Sequence, residues 1–130
     1  MCIFCKIING DIPSKKIYED DDVVAILDIS QATKGHTLVL PKKHYANILE
    51  IEESDYLKVM SVAKKLADKL TKTFNTTGCN ILNNCGELAG QTVMHFHVHI
   101  IPRYETDDLK IEFTSHSLDL EEIKNQINSK

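Results

Sequence analysis

The stretch Met94-His95-Phe96-His97-Val98-His99-Ile100-Ile101 decides the fold of this chain, because polar and apolar residues alternate along it. Alternation with a period of two is typical of a strand buried on one face. Residues two apart on a strand lie about 6.6 Å from one another. The stretch therefore predicts three imidazoles in a row on one face of a sheet, with a core-facing side made of Met94, Phe96, Val98 and Ile100.

Three histidines on one strand face indicate chemistry rather than packing. The chain has 6 histidines, and half of them lie in this run. Neutral imidazole is a common metal ligand and also a nucleophile and acid-base group near neutral pH. The residues alone leave two functional interpretations open, a metal site and direct catalysis by the imidazoles. A partly wetted sheet surface is the non-functional alternative.

Length and composition limit the class of protein. The 130 residues suffice for one domain with a hydrophobic core but not comfortably for two. A net charge of −4, with Lys and Arg scattered among Asp and Glu, argues against a nucleic-acid partner. No segment reaches the about 20 apolar residues of a membrane span, and Met1 is followed directly by Cys2 without a basic leader. We therefore expect a cytoplasmic protein with no membrane partner.

The 4 cysteines should stay reduced in that compartment. Cys2-x-x-Cys5 then indicates metal ligands or a redox pair rather than a structural disulfide. Cys79 and Cys85 lack such spacing, and we expect them to be small packed residues or free thiols.

Apolar patterns predict the remaining elements of an α+β domain built on a mainly antiparallel sheet. Residues 55–74 repeat apolar side chains at spacings of three and four, as in an amphipathic helix, and Ser54 is the expected cap. Asp119 followed by Glu122 has the form of a capping box before a last helix, Leu120–Asn128. Strands are expected at 23–28, 36–41, 79–83 and 109–113.

The run from His95 to Ile101 resembles the signature of the histidine-triad (HIT) hydrolases and transferases, in which three histidines alternate with apolar residues. The resemblance covers Cys2 to about Tyr104. It implies a HIT domain at 1–104 and a C-terminal extension, 105–130, packed on the same domain or on a dimer. The other stretches that carry it are Asp28-Ile29-Ser30, Gly35-His36-Thr37-Leu38-Val39-Leu40-Pro41-Lys42-Lys43-His44 and Gly90-Gln91-Thr92-Val93.

The N-terminal cysteines make the chain similar to the Hint-like branch of that family. This resemblance implies a HIT-like fold with a five-stranded sheet, one long helix and a short C-terminal helix, and a homodimer in which two sheets join. It also implies hydrolysis of purine nucleoside 5′-phosphoramidates or aminoacyl adenylates, with release of the nucleoside monophosphate.

The same resemblance assigns roles to residues. It makes His97 the nucleophile that forms a nucleotidyl-histidine, His99 a phosphate contact, Thr92 a hydroxyl on the leaving-group side and His36 a support behind the triad. The ring nitrogen of His97 that does not attack should hold its proton against an acceptor such as a backbone carbonyl. Either His99 or Thr92 could protonate the leaving nitrogen. The implied nucleotide-binding residues are Asp28, Asn84, Gln91, Phe4, Ile7, Ile29, Leu38 and Val93.

The resemblance further implies a zinc site. Its ligands are Cys2, Cys5, His44 and His95, a set of the type found in closed structural sites. The ion is then a clip between the N-terminus and the sheet rather than the catalyst.

Three alternatives remain from the sequence. One is hydrolysis of dinucleoside polyphosphates, as in the Fhit-like branch. Another is a metallohydrolase in which His95, His97 and His99 bind one catalytic zinc ion. The last is a nucleotide-binding regulator with little turnover. Chelation separates the metallohydrolase from the hydrolases that carry a zinc clip, because loss of a catalytic metal stops the chemistry at once, whereas loss of a clip mainly reduces stability.

Overall fold

The computed structural model describes residues 2–107 and 109–130. Its elements, in chain order, are α1 (Ile3–Ile8), β1 (Lys16–Glu19), β2 (Val23–Leu27), β3 (Thr37–Pro41), α2 (Glu53–Thr73), β4 (Gly78–Leu82), a 3₁₀ turn (Glu87–Ala89), β5 (Val98–Arg103) and α3 (Leu120–Asn128).

The strands form one antiparallel sheet in the order β1-β2-β3-β5-β4. This arrangement confirms the predicted α+β class with five strands, one long helix and a short C-terminal helix. The register sets Leu38 of β3 opposite both Ile26 of β2 and His99 of β5. The last histidine of the run therefore lies beside the middle of the sheet.

Helix α2 covers one face of the sheet. Its buried residues Val59, Val62 and Leu66 pack with Phe96 and Val98 in one apolar cluster. The predicted cap at Ser54 is wrong: the N-cap is Glu52, which makes no side-chain capping bond. A tertiary contact marks this helix start instead, because the buried Asp55 accepts a hydrogen bond from the hydroxyl of Tyr45 at 2.5 Å.

Helix α1 covers part of the opposite face and was not predicted. Phe4 and Ile7 are buried against Val24, Ile26 and Leu38. The helix has 6 residues, too few for a periodic pattern to show, and helices this short depend on tertiary packing. Strand β1 was also missed, because all 4 of its residues are exposed and it lies at the sheet edge.

The histidine run is only partly a regular strand. β5 begins at Val98, so the expected strand over 94–101 starts late and continues to Arg103. Before it, the amide of Phe96 donates to the carbonyl of Tyr45 at 2.7 Å. The alternation survives this irregularity: Phe96, Val98 and Ile100 join the α2 cluster.

The tail leaves the sheet at Arg103. This guanidinium donates to Asp107 and to the carbonyl of Leu109. The expected strand at 109–113 is absent, because these residues pair with no strand of the sheet. Helix α3 and its cap are confirmed, with the Asp119 carboxylate accepting from the amide of Glu122 at 3.2 Å. Within the described residues no helix has the length and apolarity needed to cross a membrane.

Candidate active site and metal centre

His97 is held as a neutral imidazole with one nitrogen free. Its Nδ1 donates to the backbone carbonyl of His95 at 2.7 Å, which leaves the lone pair on Nε2. Asn83 holds the backbone in place, because its amide donates to the His97 carbonyl at 2.9 Å. The ring of Phe4 lies edge-on to His97 at 5.1 Å between centroids. The acceptor expected for the non-attacking nitrogen is thus found on the neighbouring histidine.

His99 belongs to a hydrogen-bonded group with His36 and Asp28. The amide of Ala32 donates to His36 Nδ1 at 3.1 Å, so the proton of neutral His36 is on Nε2. That nitrogen lies 2.9 Å from His99 Nδ1 and 3.5 Å from the Asp28 carboxylate. His99 Nδ1 must accept, and its own proton is on Nε2. The network therefore makes His99 Nε2 a hydrogen-bond donor.

Burial keeps these rings neutral at physiological pH. It lowers the pKa of His99 to about 4, and nearby His97 and His36 act in the same direction. Burial also lowers the pKa of His97 and of His36, although Asp28 partly offsets the effect on both. An unprotonated His97 is the form that can attack an electrophile.

The depressed pKa of His99 predicts a pH-dependent stability. Because its folded pKa of about 4 lies below the ordinary 6.5, the unfolded chain binds more protons between these values. Stability attributable to His99 is then fully present above about pH 6.5 and decreases by up to about 3 kcal/mol as the pH falls to 4. Urea unfolding of His99→Asn between pH 7 and 4 should show a shallower decline than wild type. His116→Asn, in the exposed tail, is the control; equal slopes for all three proteins would contradict this prediction.

The four predicted metal ligands converge at the N-terminal end of α1. The Cys2 and Cys5 sulfurs lie 3.4–3.6 Å from the Nδ1 atoms of His44 and His95, and these two nitrogens are 3.2 Å apart. Tetrahedral zinc with two sulfur and two nitrogen ligands requires separations of about 3.3–3.8 Å. The sulfurs are closer, at 3.1 Å, so zinc would spread that pair slightly. The donor set fits a closed zinc site.

Backbone contacts also prepare His95 for this role. Its Nε2 donates to the carbonyl of Pro41 at 2.8 Å, which leaves the Nδ1 lone pair directed at the cysteines. A second group of potential ligands, Asp28, His36 and His99, lacks this preparation. Metal on His36 Nε2 would move the proton to Nδ1, against the amide of Ala32. The tautomers thus favour metal at the first group only.

The triad histidines do not converge on one ion. His95 lies in the cysteine group and His99 in the carboxylate group, while His97 belongs to neither of the candidate metal groups among residues 2–107 and 109–130. This division leaves His97 available as a nucleophile between the two groups.

The residues expected around the nucleotide have varied environments. Asp28 accepts from the amide of Ser30 at 2.8 Å. Gln91 is buried, and its amide group bonds to the backbone of Gly86, Ala46 and Val93, so it braces the loop before the triad. Thr92 is exposed and Asn84 partly buried. Of the apolar set, Phe4, Ile7 and Leu38 are buried, Val93 packs beside them, and Ile29 is fully exposed.

Several residues that shape the site were missed by sequence reasoning. Asn83 holds the His97 backbone, Tyr45 pairs with Phe96 through its carbonyl, and Gln31 holds the loop that carries His36. Asn83 and Gln31 act through side-chain amides that bind the backbone, and Tyr45 acts through its own backbone carbonyl. Such contacts leave no pattern of residue types, so no local signal could have identified them.

Comparison with known proteins identifies the family of this chain. The family described as "HIT domain" matches residues 9–106. Protein hit of Bacillus subtilis is 54% identical over 82% of this chain and 74% of its own. Adenosine 5′-monophosphoramidase hnt1 of Schizosaccharomyces pombe is 40% identical over 95% of this chain and 90% of its own. Adenylylsulfatase HINT3 of Arabidopsis thaliana is 38% identical over 97% of this chain and 65% of its own.

Solved structures agree with the fold, and one of them is zinc-bound. A HIT family protein from Bacillus anthracis has a TM-score of 0.92 and 48% identity, with 98% of this chain and 93% of that chain covered. A zinc-bound histidine triad family protein from Mycobacterium smegmatis has a TM-score of 0.80 and 34% identity, with 98% and 96% covered.

Proposed function

Because the chain belongs to the HIT domain family, we propose that it hydrolyses purine nucleoside 5′-phosphoramidates or aminoacyl adenylates and releases the nucleoside monophosphate. The observation that carries this proposal is the hydrogen bond from His97 Nδ1 to the His95 carbonyl. It holds a buried, neutral imidazole with its nucleophilic lone pair on Nε2. Relatives named as a phosphoramidase and an adenylylsulfatase support the same class of reaction.

In the proposed first step His97 Nε2 attacks the α-phosphorus. The Nε2–P bond forms, the bond from phosphorus to the leaving nitrogen or carboxylate oxygen breaks, and a nucleotidyl-histidine results. The ring becomes positively charged, and the His95 carbonyl, already bound to Nδ1–H at 2.7 Å, stabilises that charge. Water then attacks phosphorus, the Nε2–P bond breaks, and the nucleoside monophosphate leaves.

In this proposal His99 stabilises the charge on the phosphoryl group and Thr92 protonates the leaving group. The Nε2–H of His99, oriented by His36, donates to a non-bridging oxygen of the phosphoryl group and stabilises charge in the transition state. In phosphoramidate cleavage the exposed hydroxyl of Thr92, on the leaving-group side, donates its proton to the departing nitrogen and regains one from the water that attacks in the second step.

The nucleoside is proposed to bind at the loop after β2. The Asp28 carboxylate is 18% exposed, and lone pairs beyond those used by Ser30 and His36 can accept from ribose hydroxyls. The neighbouring Ile29, fully exposed, would gain apolar contact from a purine base. Asn84 and the loop braced by Gln91 complete the proposed phosphate side.

Zinc would be held by the four ligands described above as a structural ion. It would tie α1 to the His95 backbone, whose carbonyl orients His97. Cys2 and Cys5 must be thiolates to bind it, which is compatible with the reducing cytoplasm that we propose as the location.

A homodimer is proposed to form through the β4 edge of the sheet, with the extension 105–130 packed on the partner. Ile81 of β4 is 45% exposed at this edge, and Phe113, Leu120 and Ile127 of the tail are more than 60% exposed. Burial of such apolar surface favours association.

An Ile81→Glu variant is expected to shift the protein toward monomer. A charge at a joined sheet edge would be buried without a partner, which costs several kcal/mol. Sedimentation equilibrium should give twice the 14.7 kDa chain mass for wild type and lower values for the variant. Ile17→Glu, on the opposite edge strand, should behave as wild type; a wild-type monomer would refute the dimer.

The experiment that tests the function is steady-state release of adenosine monophosphate from an adenosine 5′-phosphoramidate by the full chain. Turnover supports the proposal. Cleavage of a dinucleoside polyphosphate but not of the phosphoramidate would indicate the alternative hydrolase. Binding of adenosine monophosphate with no turnover of either compound would indicate a regulatory binding protein.

A further inference from the structure

Gln31 closes the loop between β2 and β3 with its side chain. Its Nε2 donates to the carbonyls of Asp28 and His36, each at 2.7 Å. Its Oε1 accepts from the amides of Gly35 at 2.8 Å and His36 at 3.1 Å. One side-chain amide thus joins both ends of the loop, from Asp28 to His36.

A backbone amide of this loop sets the tautomer of His36. The amide of Ala32 donates to Nδ1 at 3.1 Å and requires a lone pair there. Gln31 directly precedes Ala32 in the chain, so its hydrogen bonds hold the loop in the position that brings this amide to the ring.

The tautomer of His36 determines the tautomer of His99. With a lone pair on His36 Nδ1, His36 Nε2–H donates to His99 Nδ1 across 2.9 Å, and His99 Nε2 keeps its proton. In the other tautomer His36 Nε2 is an acceptor, which requires the proton of His99 on Nδ1. His99 Nε2 would then have no proton to donate to a phosphoryl oxygen.

We propose that Gln31 is a positioning residue that keeps His99 in its donating tautomer, by holding the Ala32 amide against His36. The inference rests on the proposed function only where the His99 proton is donated to the phosphoryl group. The tautomer of His99 follows from the hydrogen bonds alone. Gln31 needs no contact with the nucleotide for this role.

The loop has other anchors, so the fold does not depend on Gln31. Thr33, which is buried, donates through its hydroxyl to the carbonyl of Pro102 at 2.5 Å. The hydroxyl of Tyr104 donates to the carbonyl of Lys34 at 2.6 Å. Removing the Gln31 amide should therefore loosen residues 30–32 and leave 33–36 attached to β5.

The test is ¹⁵N NMR of the histidine ring nitrogens in the full chain, with kinetics on the adenosine 5′-phosphoramidate. Wild type should show His99 mainly protonated on Nε2. Gln31→Ala and Gln31→Glu, which lacks the two donors but keeps the length, should show mixed tautomers at His36 and His99. We expect kcat to fall about tenfold with KM changed less than about threefold. Tyr104→Phe removes another bond to the same loop and should keep the wild-type ring signals.

Unchanged ring signals in both Gln31 variants would overturn the proposal, as would a wild-type His99 protonated on Nδ1. Unfolding of both variants would also overturn it, because it would make Gln31 a residue of general stability. If the tautomers shift as expected but wild type releases no monophosphate, the positioning role stands and the proposed function fails.

Discussion

Replacing His97 with alanine is expected to reduce kcat/KM for the phosphoramidate by at least about 1,000-fold. The variant lacks the protein atom that bonds to phosphorus in the proposed mechanism, and neither neighbouring histidine can substitute. His95 directs its free nitrogen at the cysteines, and His99 presents a protonated Nε2. Steady-state release of adenosine monophosphate measures the effect.

His116→Ala is the matched control, because the same change is made in the exposed tail. Both variants should unfold cooperatively before their rates are compared. Rapid acid quenching of wild type should also trap a mass increase of one nucleotidyl group on the peptide that contains His97. Equal activity of wild type and His97→Ala would refute the covalent mechanism.

Loss of one proposed zinc ligand, in Cys5→Ser, is expected to lower Tm by more than 10 °C. A ligand present at about 1,000 times its Kd stabilises the folded state by about 4 kcal/mol, and about 1 kcal/mol corresponds to about 3–4 °C for a chain of this size. Differential scanning calorimetry with and without added zinc, together with the zinc content of the purified protein, measures the effect.

Cys79→Ser is the control for this change, because Cys79 lies on β4 and outside the candidate metal group. It should keep wild-type zinc content and a Tm close to wild type. A chelator should reduce the wild-type Tm toward that of Cys5→Ser while activity persists at temperatures where the protein stays folded. Immediate loss of activity without unfolding would instead support a catalytic metal.

The predictions for His97→Ala and Cys5→Ser are linked through His95. The His95 side chain directs Nδ1 to the zinc ligands, and the His95 carbonyl accepts the proton of His97. A zinc ion on His95 would therefore add support to a backbone group that already holds His97 through its own hydrogen bond. Phe4 of α1, edge-on to both rings at 5.9 and 5.1 Å, adds a second link between the N-terminus and the site.

Local patterns were enough to predict much of the fold. The alternation around His97, the spacing of apolar residues along α2, and the Asp119 cap each reflect the geometry of a single element, so each is visible in sequence. The start of β5, the start of α2 and the whole of α1 were not predictable. They depend on contacts such as Phe96 with Tyr45 and Tyr45 with Asp55, which join segments far apart in the chain.

Local pattern alone predicts that three histidines alternate with the core residues Phe96, Val98 and Ile100, and that two cysteines are candidate metal ligands. Contacts made in the folded chain set where the proton of each imidazole lies. The carbonyl of Pro41 turns the free nitrogen of His95 toward the cysteines, the carbonyl of His95 leaves a lone pair on His97, and the amide of Ala32, through His36, puts a proton on His99 Nε2. The physical reason is that an imidazole carries one proton on two nitrogens, and its backbone partners choose between them.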